Sequence, residues 1–231
     1  MCFAGLAFCQ FPLQGQLLNE AKRMMGQGGG GYSESEAADG IKEALINGTG
    51  NSVKLVAVQD GYFGNPEIKI PFPPEAKEME SKLRSIGMGK QVDETVLSIN
   101  RAAEDAAKDA RDIFVTAIRN LSVKDAISIV KGNNDAATRY LQNTTSPQLN
   151  TTFQPTIKTS LDKVEATKHW AELIKAYNKI PFVKKMNPNL TEYVTGKAID
   201  GLFIMIAKEE DKIRKDPMAQ TSDLLKKVFG H

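Results

Sequence analysis

Cysteine is nearly absent from this chain of 231 residues: Cys2 and Cys9 are the only two, both in the first nine positions. The rest of the chain therefore has no disulfide framework and no cysteine-bound metal. Histidine is as scarce, with only His169 and His231. A zinc site needs several His or Cys ligands, so no metal and no cofactor is expected. An excess of one charge is also missing: 30 Lys and Arg face 28 Asp and Glu, a net charge of +2. Without a dense basic run there is no phosphate-tracking groove, which excludes nucleic acid as a partner. No Ser-His-Asp, Cys-His or EF-hand arrangement occurs, and no repeated β-patterned segments.

What is present is an ordinary globular composition, 41% hydrophobic and 25% charged, enough to bury a core in one large domain. The chain starts with an uncharged apolar run, Met1 to Pro12, too short to span a membrane. It reads as the apolar part of an export signal whose basic start lies upstream of Met1. A periplasmic or secreted location is expected, with peripheral association with the envelope as the membrane contact. Cys9 is the candidate for lipid attachment, although bulky Phe8 stands where such a signal carries a small residue. The glycine cluster from Gly26 to Gly31 reads as a linker. No strand precedes it and no Gly-Lys-Ser/Thr follows, so it is not a phosphate loop. Residues 1–31 thus form a signal-like segment plus linker, and residues 32–231 a single helical domain.

The fold class read from periodicity is all-α: a compact multi-helix domain with one long proline-rich loop at about 60–74. Ser33 and Glu36 suit a capping box opening the first long helix, which Gly48 and Gly50 should kink. Glu75 to Ile86 predicts a second helix, closed by Gly87. A third is expected from about Lys90 to Asn120, broken near Lys108, with Val92, Val96, Ile99, Ala103, Ala106 and Ala110 on one face. Ser122 caps a short helix to Val130. Another begins at Asp135, is restarted at Ser146-Pro147 and bends at Pro155. Ala166 to Ile180 and Thr191 to Lys215 follow. A last short helix, Asp223 to Phe229, is closed by Gly230.

In the proline-rich segment, Ile68, Ile70 and Phe72 alternate and should turn inward together, with Tyr62 and Phe63 adding aromatic surface. These five residues are either a loop stapled to the helices or a lid over a groove. Two polar clusters are the other candidate sites. Asn100, Arg101 and Glu104 flank the alanine-rich face. Glu209, Glu210 and Arg214 continue the apolar stripe of Ile199, Leu202, Phe203, Ile206 and Ile213. Either could be a structural clamp or hold a carboxylate with acid–base chemistry. Close approach of the two helices would let Arg101 or Arg214 reach a carboxylate on the other one. A third set is Asp135, Thr138 and Arg139 with Thr144 and Thr145. There Asp135 should cap its helix and Arg139, four residues on, pair with it.

Several motifs resemble one family in order along the chain: Asp60-Gly61-Tyr62-Phe63, Asn65 to Pro71, Asn100 to Glu104, Gly132 to Ala137 and Tyr193-Val194-Thr195. The match is fullest from Asp200 to Phe203, through Glu209, Glu210, Ile213 and Arg214, to Leu224 to Gly230. These resemble domain-of-unknown-function family 4197 over about residues 33–230. The resemblance implies a helical, bacterial, usually exported protein without an established activity, and supplies no catalytic residues. The leading functional expectation is a non-enzymatic envelope protein that binds a partner protein or small apolar ligand through a helical groove. The alternative is a hydrolase-like enzyme using Glu104 and Glu210 across a cleft. Carboxylates sealed in Arg pairs would favour the binder. The sequence names no ligand and no oligomeric state.

Overall fold

A computed structural model describes residues 34–163, 166–183 and 189–215. The apolar start, both cysteines, the glycine run, Ser33, and the expected helix at 223–229 lie outside the described residues. The helices are α1 (Glu34–Val56), α2 (Lys77–Ser85), α3 (Gly89–Ala106), α4 (Ala110–Arg119), α5 (Val123–Lys131), α6 (Ala136–Lys163), α7 (Ala166–Tyr177) and α8 (Leu190–Lys215). No strand occurs among the described residues, so the fold is all-α.

Local chemistry explains several boundaries. Ser122 accepts the Asp125 N–H at the start of α5. At the end of α2, Gly87 takes φ +86°. Its N–H bonds the Arg84 carbonyl and the Met88 N–H bonds that of Leu83. This paired closure needs a left-handed residue, which glycine adopts without penalty. The expected break near Lys108 is a 3₁₀ turn, Ala107–Asp109, between α3 and α4. From α6, Ser160 donates to Asp105 and Thr156 to Asp109, pinning both sides of that turn.

One expectation was wrong, and one glycine has a packing role. Gly48 and Gly50 lie inside α1, which is helical from Glu34 to Val56. Gly48 is buried where α8 crosses: an added Cβ would lie 3.3 Å from Glu209 Cγ and Ile213 Cδ1. The glycine serves close approach. Pro147 does not restart the chain, since α6 runs unbroken from Ala136 to Lys163 through Pro147 and Pro155. An interior proline costs about 3 kcal/mol or more. Leu141, Leu149, Phe153, Ile157 and Leu161 are all fully buried along this helix. At about 1.5–3 kcal/mol for each such side chain, their burial outweighs both prolines.

The main core lies where α6 and α8 pack on each other and on α3, with α4 and α7 closing it. Ala102, Ala103, Ala106, Ala107 and Ala110 are completely buried there. Across it runs the segment between α1 and the 3₁₀ turn Pro74–Ala76. Tyr62, Ile68, Ile70 and Phe72 are buried, while Lys69 and Pro71 face out, so the alternation read from the sequence is the alternation of burial.

Candidate functional site

The first polar cluster holds this crossing segment down. Asn100, buried on α3, accepts the Ile70 N–H at 2.8 Å and donates to the Ile70 carbonyl at 2.8 Å. Its amide thus replaces the strand partner that an extended residue would otherwise need. Glu104 Oε1 accepts the Tyr62 and Phe63 N–H groups, each at 3.1 Å, and Oε2 takes Arg101 at 2.7 Å. Arg101 also reaches Asp60 at 2.8 Å. Lys69 Nζ sits 4.0 Å above the Phe63 ring, and the Arg101 guanidinium 5.9 Å from it. The Tyr62 hydroxyl donates to the Ala198 carbonyl of α8 at 2.6 Å. Burial, and secondarily the Glu104 charge, push its pKa far above the ordinary phenol value. Lys208 pairs with Glu67 at the rim.

The segment is sensitive at Gly201, where an added Cβ would lie 2.7 Å from Tyr62 Cε1 and 3.2 Å from Ile68 Cβ. The ring cannot back away while its hydroxyl holds Ala198. Gly→Ala in a helix interior ordinarily gains up to about 1 kcal/mol, whereas overpacking costs about 1–3 kcal/mol. Gly201→Ala is therefore expected to lower stability by about 1–2 kcal/mol in urea melts. A higher midpoint would mean that the ring is not pinned.

The second cluster joins three helices. Glu210 on α8 accepts the Ala137 N–H at 3.0 Å, the Thr138 N–H at 2.8 Å and the Thr138 hydroxyl at 2.7 Å. Arg214, one turn on, binds Glu210 through Nε and Nη2, and donates to the carbonyls of Ile129 and Val130. One ion pair thus caps the N-terminus of α6 with an anion and the C-terminus of α5 with a cation. Both placements match the helix dipoles. The remaining first-turn donors of α6 are also satisfied: Ala136 N–H by Asn133 and Arg139 N–H by the Asp135 carbonyl. Asp135 is therefore not the side-chain cap expected from the sequence. Its carboxylate pairs with Arg139 at 2.7 Å on the surface. Glu209, half-buried, accepts from Asn51 of α1 at 3.0 Å. Thr144 and Thr145 bond back to the carbonyls of their own helix.

The expectation that Arg101 or Arg214 would reach a carboxylate on the other helix is also overturned. Each pairs with a glutamate three or four residues away on its own helix, already within reach without any crossing. Arg101's second partner lies in the crossing segment. The link from Glu210 to Thr138 could not be read from spacing, because 72 residues separate them. Its only sequence signal was a carboxylate on an apolar stripe.

Glu104 and Glu210 open onto different depressions. Glu104 borders a polar one with Arg101, Asp105, Lys108 and Lys163. Hydrogen bonds from Lys108 and Ser160 hold the Asp105 carboxyl below its usual range. Glu210 and Arg214 lie under an apolar furrow lined by Ile41, Ala44, Leu45 and Gly48 of α1 and Ile206 and Ile213 of α8, and closed off by Ile129 of α5 and Ala137 of α6, with a cavity volume of about 30 Å³. Among the described residues, no group of three His, Cys, Asp or Glu could hold a metal, and no helix is long and apolar enough to cross a membrane.

Fold and site together describe an all-α protein whose buried carboxylates are ligands for its own main-chain amides and arginines. The chain belongs to the family described as a protein of unknown function, DUF4197, which matches residues 31–230. No curated protein and no solved structure matches it.

Proposed function

We propose that this chain is an exported, non-enzymatic envelope protein that holds an amphipathic helix of a partner protein in the furrow between α1 and α8. The furrow itself carries this reading. Its walls are apolar, and among the described residues the only charges at its floor, Glu210 and Arg214, are joined to each other and to helix ends. About 30 Å³ holds one or two waters, whereas small-molecule pockets measure roughly 300–1,000 Å³. The space thus argues against a small apolar ligand. Ala44 and Gly48 instead leave a hollow the size of a side chain, the kind of hole that a helix fills with its knobs. The enzyme alternative has no support here, because the acceptor sites of both carboxylates are engaged and they face separate depressions.

The test is site-directed photo-crosslinking in the native host. A photoreactive residue at half-buried Leu45, on the furrow wall, should yield a discrete protein adduct in the envelope fraction. The same residue at exposed Gln148 of α6 should not. Equal labelling at both positions, or recovery from the cytoplasm alone, would overturn the proposal.

A further inference from the structure

Just past α7 stands an apolar side chain with no packing role. Phe182 is 109% exposed; the next most exposed large apolar residue among those described, Ile86, is 57% exposed. Phe182 also has φ +66°. A bulky residue rarely adopts this left-handed backbone, and the contacts around it must hold it there. Such contacts exist on both sides. Beyond Tyr177 the chain turns on hydrogen bonds from the N–H groups of Asn178, Lys179 and Ile180 to the carbonyls of Ile174, Ala176 and Tyr177. Ile180 and Val183 are half-buried and pack on the main core. The exposed tip Pro181-Phe182 is therefore pinned at both ends, its ring turned out between two apolar residues that turn in.

The stripe of α7 that leads to this tip is basic. Lys168, Glu172, Lys175 and Lys179 follow one another at helical spacing, and all are exposed. Lys175 and Lys179, nearest the tip, form no ion pair among the described residues. The carboxylates on this side are Glu172 and Glu78 of α2, which lies near Tyr177. An outward aromatic ring next to uncommitted lysines suits an anionic bilayer: the ring enters the headgroup layer and the ammonium groups meet lipid phosphates. A protein partner fits less well. A specific protein interface covers about 800 Å² a side, and beside the ring only Pro181 offers exposed apolar surface at the tip.

We infer that Pro181-Phe182 is a membrane-contact tip, inserted in the headgroup layer of an anionic lipid surface with Lys175 and Lys179 on its phosphates. The left-handed backbone at Phe182 belongs to the device, because it holds the ring away from the core. This site goes beyond the helix-holding furrow and does not rest on it, since that furrow is lined from α1, α5, α6 and α8.

The test reads the tip directly, in the full chain. Trp170 is the one tryptophan and is buried, so Phe182→Trp adds a single solvent-exposed reporter. With vesicles of equal parts phosphatidylglycerol and phosphatidylcholine, its emission should shift to shorter wavelength, while that of the unaltered chain should not. Vesicles of phosphatidylcholine alone should give no shift. Adding Lys175→Glu and Lys179→Glu to the Trp variant should weaken its binding to the anionic vesicles about tenfold or more, and salt at about 1 M, which screens charges beyond about 3 Å, should do the same. Because the reporter is local, association made elsewhere in the chain does not produce the shift. Phe182→Gly, which suits a left-handed backbone, should raise the urea midpoint, showing that the ring serves no packing role. No shift with anionic vesicles, an equal shift with neutral ones, or a lower midpoint for Phe182→Gly would overturn the inference.

Discussion

Replacing Glu210 with alanine is expected to destabilise the protein by about 3–5 kcal/mol, the loss seen when one member of a buried ion pair is removed. The pair is buried: the side chains of Arg214 and Glu210 are 11% and 6% exposed. An exposed pair would contribute only about 0–1 kcal/mol. Alanine at 210 strands the Arg214 guanidinium and leaves the Ala137 and Thr138 amides at the start of α6 without their acceptor. Replacing both charges, Glu210→Met with Arg214→Met, should recover part of the loss, because no isolated charge then remains. Recovery should be incomplete, since two helix ends still lack their caps, each worth about 1 kcal/mol. Urea melts of the two single variants and the double variant measure the coupling. An unchanged midpoint for Glu210→Ala would show that the carboxylate is solvated.

Phe72→Ala is expected to cost about 3–5 kcal/mol, the range for emptying a buried aromatic site. Phe72 is 5% exposed, and its ring meets Trp170 of α7 edge to face, with centroids 5.0 Å apart. That geometry adds about 0.5–1.5 kcal/mol beyond burial. Trp170 is the one tryptophan in the chain, so native-state fluorescence reports the same contact. The folded variant should show altered Trp170 emission as well as a lower urea midpoint. Phe72→Leu, which keeps most of the volume, should lose markedly less stability. A change below about 0.5 kcal/mol, typical of surface positions, would mean that the segment lies over the surface as a lid.

These two sites differ in how far they could be read in advance. The inward turn of Ile68, Ile70 and Phe72 was legible because a two-residue alternation is local and survives any packing arrangement. The partners of that segment were only half legible. Asn100 and Glu104 stood out as polar residues flanking an alanine face, yet their acceptors and donors proved to be the main chain at Tyr62, Phe63 and Ile70. Backbone groups carry no sequence signature, so no residue pattern could name them. The same limit hid the role of Glu210, whose ligands are two backbone amides and a threonine on another helix.

Residue pattern was enough for the helical class, the positions of most helix starts and stops, the break near Lys108, and the inward turn of Ile68, Ile70 and Phe72. Each follows from short-range forces: periodic burial, capping, and the backbone limits of glycine and proline. Tertiary structure alone decided that α6 passes unbroken through Pro147 and Pro155, because buried side chains along the whole helix outweigh a local penalty. It likewise decided that Gly48 admits a neighbouring helix and that Glu210 and Arg214 close the ends of two others. Those outcomes depend on which surfaces meet, and residues 72 or more apart in the chain meet only once the helices have packed.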